Sequence, residues 1–476
     1  MADPLDLDST DDAPTRLRLV PEPTGLSGEE PHAPRRAVPT RSRAARVNAA
    51  RSATRARRTW LAVLFFPVFG FFLLLDGVRT VVERLSAYRA IELERRPIFG
   101  RPPSMPNGAE RSVADIAAKI EAFPYEPKRM STNTAFFRDN GSDAIGALLS
   151  PFPHAGAMHR YPATFRQRLF TGADGTQVAG MVALHDHPGP AIVICHGLLM
   201  TKNFDLIIQV ARRAYEQWGF HVVTLDLRGW GQTAWTTKAP SSAGFHEGRD
   251  VVEVARVLRE SHLVTSVGAL GYSLGGSTVL NAARHSSAAA DHPIDGGVIA
   301  VSAPTDLRAA MDTISTEPHW RDPLFGLWQL FRAAVRSTVR VQGLRREIRT
   351  FKDLVEEISL PYYGISYEQF AQQASARDFV GEIDTPVLAL HARDDFLIPV
   401  QHAYELRDAA AGNPNVHVIV HDEGAHVSLE AVEPRWFNST LRRWFEYWAT
   451  PGDYVATVPD INDGFEASEA NDAPID

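Results

Sequence analysis

The chain holds one cysteine in 476 residues, Cys195, so no disulfide can form within it. Cys195 sits inside an apolar run, where a small core residue is its expected role. Metal-ligand patterns are also missing. There is no H-E-x-x-H pair and no Cys/His cluster, and neither a resident metal nor another cofactor is expected. No internal repeat is evident, which sets solenoids and propellers aside. The apolar run 60–75 falls short of the ~20 residues a helix needs to cross a bilayer; as a helix it would extend about 24 Å. Extended to residue 82 it gains the length, with Asp76 and Arg79 placed near the far interface.

Charge of one sign is absent from two segments, one in the N-terminal part and one at the C-terminal end. Residues 35–58 are rich in arginine and contain no acid, whereas the segment after 452 contains acids and no base. The net charge of −8 is that of the whole chain and is unevenly placed between these opposed segments, so binding to nucleic acid is not expected. Residues 1–58 read as a disordered Arg-rich arm, since they carry too few large apolar side chains to offset the entropy of ordering. Arginine excess before an apolar segment predicts that residues 59–82 attach to a membrane as a single-pass or in-plane helix. The arm would then stay cytoplasmic and membrane lipid would be a partner. Residues 83–162 read as a linker and N-terminal helical extension. Within it, 112–123 shows helical spacing at Val113, Ile116, Ala117, Ile120 and Phe123. The acidic tail 451–476 is expected to be disordered.

With 44% apolar residues, the remainder can supply a sizeable core. From residue 163 onward, strand and helix patterns alternate. Runs at 165–170 and 178–184 flank Asp174-Gly175, a hairpin signal. Further strands are expected at 191–195, 220–225, 264–270, 298–302, 387–390 and 416–420, with helices at 204–217, 250–260 and 277–284. Continuous apolar strands between helices predict a mostly parallel sheet covered on both faces. The alternation covers 163–302 and resumes at 385–450. The interruption, 303–384, reads as a helical lid insertion at the C-terminal ends of the strands.

The most informative stretch is Gly271-Tyr272-Ser273-Leu274-Gly275-Gly276, placed where a strand must reverse sharply into a helix. Such a turn leaves room only for small residues two places either side of its apex, the places of Gly271 and Gly275. The apex, Ser273, would be lifted out at a helix N-terminus and reads as a nucleophile. A serine hydroxyl is a poor nucleophile without an imidazole to take its proton and a carboxylate to orient that imidazole. Asp394-Asp395 follows the strand at 387–390, and Asp395 is chosen as the acid with Asp394 as second choice. His426 follows the strand at 416–420 and the turn-forming Gly424, and it reads as the base; His391 and His421 read as spectators. His196-Gly197 directly follows the strand at 191–195. The backbone N–H groups of Leu198 and Leu274 are therefore the candidates for an oxyanion hole.

These residues resemble the α/β-hydrolase superfamily. The narrower likeness is to its YheT-like abhydrolase branch, on Arg228-Gly229-Trp230-Gly231, Pro361-Tyr362-Tyr363-Gly364 ahead of Ser375, Asp394-Asp395, and Asn413-Pro414-Asn415-Val416 leading to His426. The resemblance implies a serine esterase or lipase acting on lipid-like or medium-chain acyl esters. An acyltransferase or thioesterase is the alternative, and a membrane-tethered binding protein is the alternative of another class. The chain departs from the branch in carrying Ala425 where Gly-Gly-His is usual, and Leu198-Leu199-Met200 where a Gly-rich loop is usual. The oligomeric state is not legible in the sequence.

Overall fold

The hairpin around Asp174-Gly175 joins β1 (Arg166–Thr171) to β2 (Gln177–Ala183), and Gly175 turns it with φ 81°. The structure, a computed structural model, describes residues 111–128, 161–316 and 350–449. The expected Arg-rich arm, the anchor at 59–82, most of the extension, the middle of the insertion and the acidic tail lie outside the described residues. Among the described residues no helix is long and apolar enough to cross a membrane.

Six further strands are β3 (Gly189–Cys195), β4 (His221–Leu225), β5 (Val264–Tyr272), β6 (Val298–Val301), β7 (Val387–Ala392) and β8 (Val416–His421). They form one eight-stranded sheet in the order β1-β2-β4-β3-β5-β6-β7-β8. Pairing is antiparallel at β1–β2 and β2–β4 and parallel elsewhere.

The strands feed two cores, one on each face. In β3, Ala191, Val193 and Cys195 join one cluster, while Ile192 and Ile194 join the other. The same alternation runs through β5, β6 and β7, as the two-residue period of a strand requires. Three of the described helices cover the face with Cys195: α3 (Phe245–Arg259), α4 (Leu274–Ser287) and α7 (Gln401–Ala409). The opposite face takes α1 (Val113–Glu121), α2 (Asp205–Glu216) and α8 (Pro434–Trp448). Along α8, Trp436, Phe437, Leu441, Trp444 and Phe445 form its buried stripe. Gly268 in β5 admits that helix, because a Cβ there would lie 2.6 Å from the Phe445 ring.

Two helices depart from expectation. Helix α3 begins at Phe245, five residues before the expected start at 250, because Gly244 (φ 110°) turns the chain and the Glu247 carboxylate caps it. That carboxylate accepts from the amides of Ser242 (2.9 Å) and Gly244 (3.1 Å). Helix α4 starts at Leu274, immediately after Ser273, rather than at 277.

The described parts of the insertion between β6 and β7 are helical. They comprise α5 (Leu307–Ser315), short turns over 351–363 and α6 (Tyr367–Ala374). The turns are tied to the loop before α3: Ser359 Oγ donates to the Ser241 carbonyl (2.8 Å) and Tyr363 OH to the Pro240 carbonyl (2.6 Å).

Candidate active site

Where β5 ends, Ser273 takes φ 54° and ψ −115°, a backbone conformation that a side-chain-bearing residue holds only under strain. The neighbours explain why the sequence must be glycine there. A Cβ on Gly271 would lie 1.9 Å from the Gly275 carbonyl oxygen, and one on Gly275 would lie 2.3 Å from that of Cys195. The Ser273 amide donates to the Val301 carbonyl (2.8 Å), which fixes the turn against β6. The hydroxyl is thus held above the sheet at the start of α4.

Ser273, His426 and Asp395 come from three separate strand ends and meet in a continuous hydrogen-bonded line. His426 Nε2 lies 3.0 Å from Ser273 Oγ, and His426 Nδ1 lies 3.0 Å from Asp395 Oδ2 and 3.1 Å from Oδ1. All three are buried, Ser273 at 8% exposure and the others at 5%, so bulk water screens the line little. Burial would push the Asp395 carboxyl up. The facing His426 and the Ile398 amide outweigh it and hold the group below the usual carboxylate range, hence ionised. Its Oδ1 also accepts from the amides of Leu397 (3.0 Å) and Ile398 (2.9 Å). With an ionised acceptor at Nδ1, the imidazole proton belongs there and Nε2 faces serine as an acceptor.

Asp394 has a different place. Its Oδ1 accepts from the Ala425 amide (2.8 Å), tying the loop after β7 to the loop that carries His426. On the other side of His426, the Val427 amide donates to Ser302 Oγ (3.2 Å). Ala425 (φ 47°) and Val427 (φ 53°) both hold left-handed conformations, so the histidine is presented by a strained backbone pinned from two sides. His391 lies behind Asp395, 3.8 Å away, and donates instead to the Ile398 carbonyl (2.9 Å).

The loop after β3 approaches the serine closely, as a Cβ on Gly197 would lie 3.2 Å from Ser273 Cβ. Leu198 is half-buried in it, and Leu274 is the first residue of α4, where an amide has no acceptor within its own helix. His196 is a brace. Its Nε2 accepts the Leu227 amide (3.0 Å), so its proton sits on Nδ1, which donates to the Gly197 carbonyl (2.7 Å). Leu199 adopts φ 63°, in the left-handed region that favours glycine, and Met200 is buried.

Sequence reasoning missed the polar groups that fasten this loop. Asp226, buried after β4, accepts from the amides of Lys202 and Gln232 (2.8 Å each) and pairs with the buried Lys202 ammonium. Gly231 leaves space for that carboxylate, since a Cβ would come within 2.2 Å of it. Arg228 is likewise fully buried and bonds Asp250 through Nε and Nη2 (2.7 Å each) and Asp174 through Nη1 and Nη2 (2.7 and 2.8 Å). The Arg228-Gly229-Trp230-Gly231 motif was visible in the sequence; its acidic partners, 54 and 22 residues away, were not. Among the described residues no group of three or more His, Cys, Asp or Glu side chains could hold a metal ion.

Comparison with known proteins matches the model of a family described as alpha/beta hydrolase fold to residues 190–431. A monoacylglycerol lipase of Saccharomyces cerevisiae is 24% identical over 274 residues, which are 55% of this chain and 58% of the yeast protein. The Caenorhabditis elegans protein abhd-3.2 is 24% identical over 267 residues, 52% of this chain and 67% of that protein. The chain thus spans less than two thirds of the yeast relative's length. Among solved structures, an esterase of Pyrococcus furiosus is similar at 18% identity and a TM-score of 0.43, over 60% of this chain and 92% of that one. An acylaminoacyl peptidase of Pyrococcus horikoshii is similar at 16% identity and a TM-score of 0.39, over 60% and 40% of the two chains. With a family model that covers half its length on a strand order and elbow of this kind, the chain belongs to the alpha/beta hydrolase fold family.

Proposed function

We propose that this protein is a serine hydrolase of carboxylic esters. The observation that carries the reading is the line Ser273–His426–Asp395, with heavy-atom separations of 3.0 Å at both links. In the first step the Ser273 oxygen attacks the ester carbonyl while His426 Nε2 takes its proton. Asp395 orients the imidazole and stabilises its cation. The Leu198 and Leu274 amides receive the oxyanion, each such donor contributing about 3 kcal/mol of transition-state stabilisation. His426 then protonates the leaving alcohol. Water deprotonated by His426 releases the acid from the acyl-serine and regenerates the enzyme.

The substrates are lipid-like or medium-chain acyl esters, a class suggested by the likeness to the YheT-like branch, and the yeast relative's name, monoacylglycerol lipase, supports its lipid-like part. The insertion 303–384 acts as the lid over the acyl group, and admission of an alcohol in place of water would make the same site an acyltransferase. The segment 59–82 holds the enzyme at a membrane with its Arg-rich arm on the cytoplasmic side; loss of vesicle partitioning on deleting residues 1–82 checks that part.

A fluorophosphonate probe is the direct test of the chemistry. It labels Ser273, and Ser273→Ala abolishes both labelling and turnover of p-nitrophenyl esters. Undiminished turnover in Ser273→Ala removes the mechanism.

A further inference from the structure

The residues on either side of His426 are strained, and two of the pins described above, Asp394 and Ser302, come from the sheet's own strand ends. A third comes from outside the matched family region. The segment 111–128 lies before residue 190, where the family match begins. It packs α1 against α8 and β8 and then runs to the histidine loop. Its docking is specific along its length: Arg111 Nη1 donates to the Trp448 carbonyl (3.1 Å), the Ser112 amide to Tyr447 OH (3.0 Å), and the Lys128 amide to the Val432 carbonyl (3.0 Å). His417 Nε2 lies 3.1 Å from Glu121.

Near the end of this segment, Tyr125 faces the turn between β8 and His426. Its hydroxyl donates to the Glu423 carbonyl (2.6 Å), three residues before His426. Its ring stacks on His421, the last residue of β8, with centroids 3.6 Å apart and planes 10° from parallel. The ring edge meets Trp436 of α8 at 5.3 Å. Tyr125 also packs against buried Ala425 and Val432. Burial, with Asp394, Glu433 and Glu423 nearby, pushes its hydroxyl well above the usual phenol range, so it stays protonated and donates. One side chain therefore grips the turn at two points, the 421 ring and the 423 carbonyl, and touches the residue that adjoins the histidine.

We propose that Tyr125 is a positioning residue for His426: its hydroxyl and ring hold the 421–425 turn so that the imidazole reaches Ser273 and Asp395 together. The proposal rests on the serine-hydrolase reading above. A backbone strained on both sides of His426 relaxes when a pin is lost, and catalysis by a positioned base is sensitive to displacements of about 1 Å. Substrate contacts are untouched, so the loss falls on kcat rather than KM. A looser His426–Asp395 bond also frees the imidazole to rotate away from Ser273.

The test uses the full chain with Tyr125→Phe, which keeps the ring stack and removes the hydroxyl, beside Tyr447→Phe. The latter removes the other tyrosine hydroxyl docking the same segment, far from the turn. The expected result for Tyr125→Phe is a 5- to 30-fold lower kcat on p-nitrophenyl butyrate, with KM within twofold. Tyr447→Phe alters thermal stability and leaves kcat in place. Equal behaviour of the two variants, or wild-type kcat in a folded Tyr125→Phe, overturns the proposal. The NMR resonance of the His426 Nδ1 proton in the Ser273→Ala background reads its hydrogen bond to Asp395 with and without the Tyr125 hydroxyl, a loss of the downfield signal being expected in Tyr125→Phe. Because it needs no turnover, it separates failure of the positioning role from failure of the hydrolase reading. Should Tyr125→Phe not fold, Tyr125→Trp, which preserves stacking bulk without an oxygen at the same place, carries the same expectation.

Discussion

Adjacent aspartates with different partners make the sharpest prediction, because the same isosteric exchange must have unlike effects at the two positions. Asp395 accepts from His426 Nδ1 at 3.0 Å as an ionised group. In Asp395→Asn the oxygen that accepts the Leu397 and Ile398 amides can stay where it is, so the loop is retained. The amide nitrogen then points at Nδ1 as a donor. His426 is forced to carry its proton on Nε2, which can no longer accept from Ser273. The lost charge-assisted bond alone is worth about 1.5–3 kcal/mol, or about 10- to 150-fold in rate. With the wrong tautomer added, the expected loss in kcat/KM approaches about 10⁴-fold. Asp394→Asn retains an acceptor for the Ala425 amide and does not touch the imidazole, so its expected loss is within about tenfold. Steady-state kinetics on p-nitrophenyl butyrate, with circular dichroism to verify folding, compares the two. Equal losses, or an Asp395→Asn enzyme within tenfold of wild type, would refute the assignment of roles.

Other perturbations follow from the same contacts. Gly271→Ala places a methyl 1.9 Å from the Gly275 carbonyl oxygen and should abolish fluorophosphonate labelling through loss of the elbow; a labelled, stable variant would contradict the packing at that turn. Arg228→Met leaves Asp250 buried without its counter-charge and should cost about 3–5 kcal/mol in urea denaturation. A second exchange, Asp250→Leu, should restore part of that loss. Burial pushes His221, His285, His402 and His421 each down to about 4 in the folded chain, whereas the unfolded chain titrates them near 6.5. The unfolded state therefore binds more protons between those values. Their contribution to stability is complete above about pH 6.5 and is lost as pH falls toward 4. Thermal melts from pH 8 to pH 4 should show Tm dropping steeply below pH 6.5, and a flat Tm across that window would be inconsistent with four neutral histidines, two of them buried and two half-buried.

Much of the site was legible because its constraints are local. Gly271 is dictated by the Gly275 carbonyl within the same turn, and the apolar strands by their own burial on both faces; Gly275 answers to the Cys195 carbonyl of β3, although the turn pattern alone singled it out. The roles of Asp394 and Tyr125 were not legible, since each acts on a backbone group 31 or 298 residues away and neither carries a local pattern. Helix α8 was missed although its amphipathic stripe begins at a helix-starting proline, Pro434. The early start of α3 was missed because its cap is a side chain reaching back from inside the helix.

By itself the sequence determined a strand-rich α/β domain, the strained turn at Ser273, and the placing of Ser273, Asp395 and His426 after separate strands, all consequences of short-range sterics and hydrophobic period. Only the tertiary structure decided the strand order β2-β4-β3-β5, which of two neighbouring aspartates faces the imidazole, and which distant segment braces it. Those choices depend on the mutual packing of elements that share no local pattern, and hydrogen bonds of about 3 Å form only after that packing is complete.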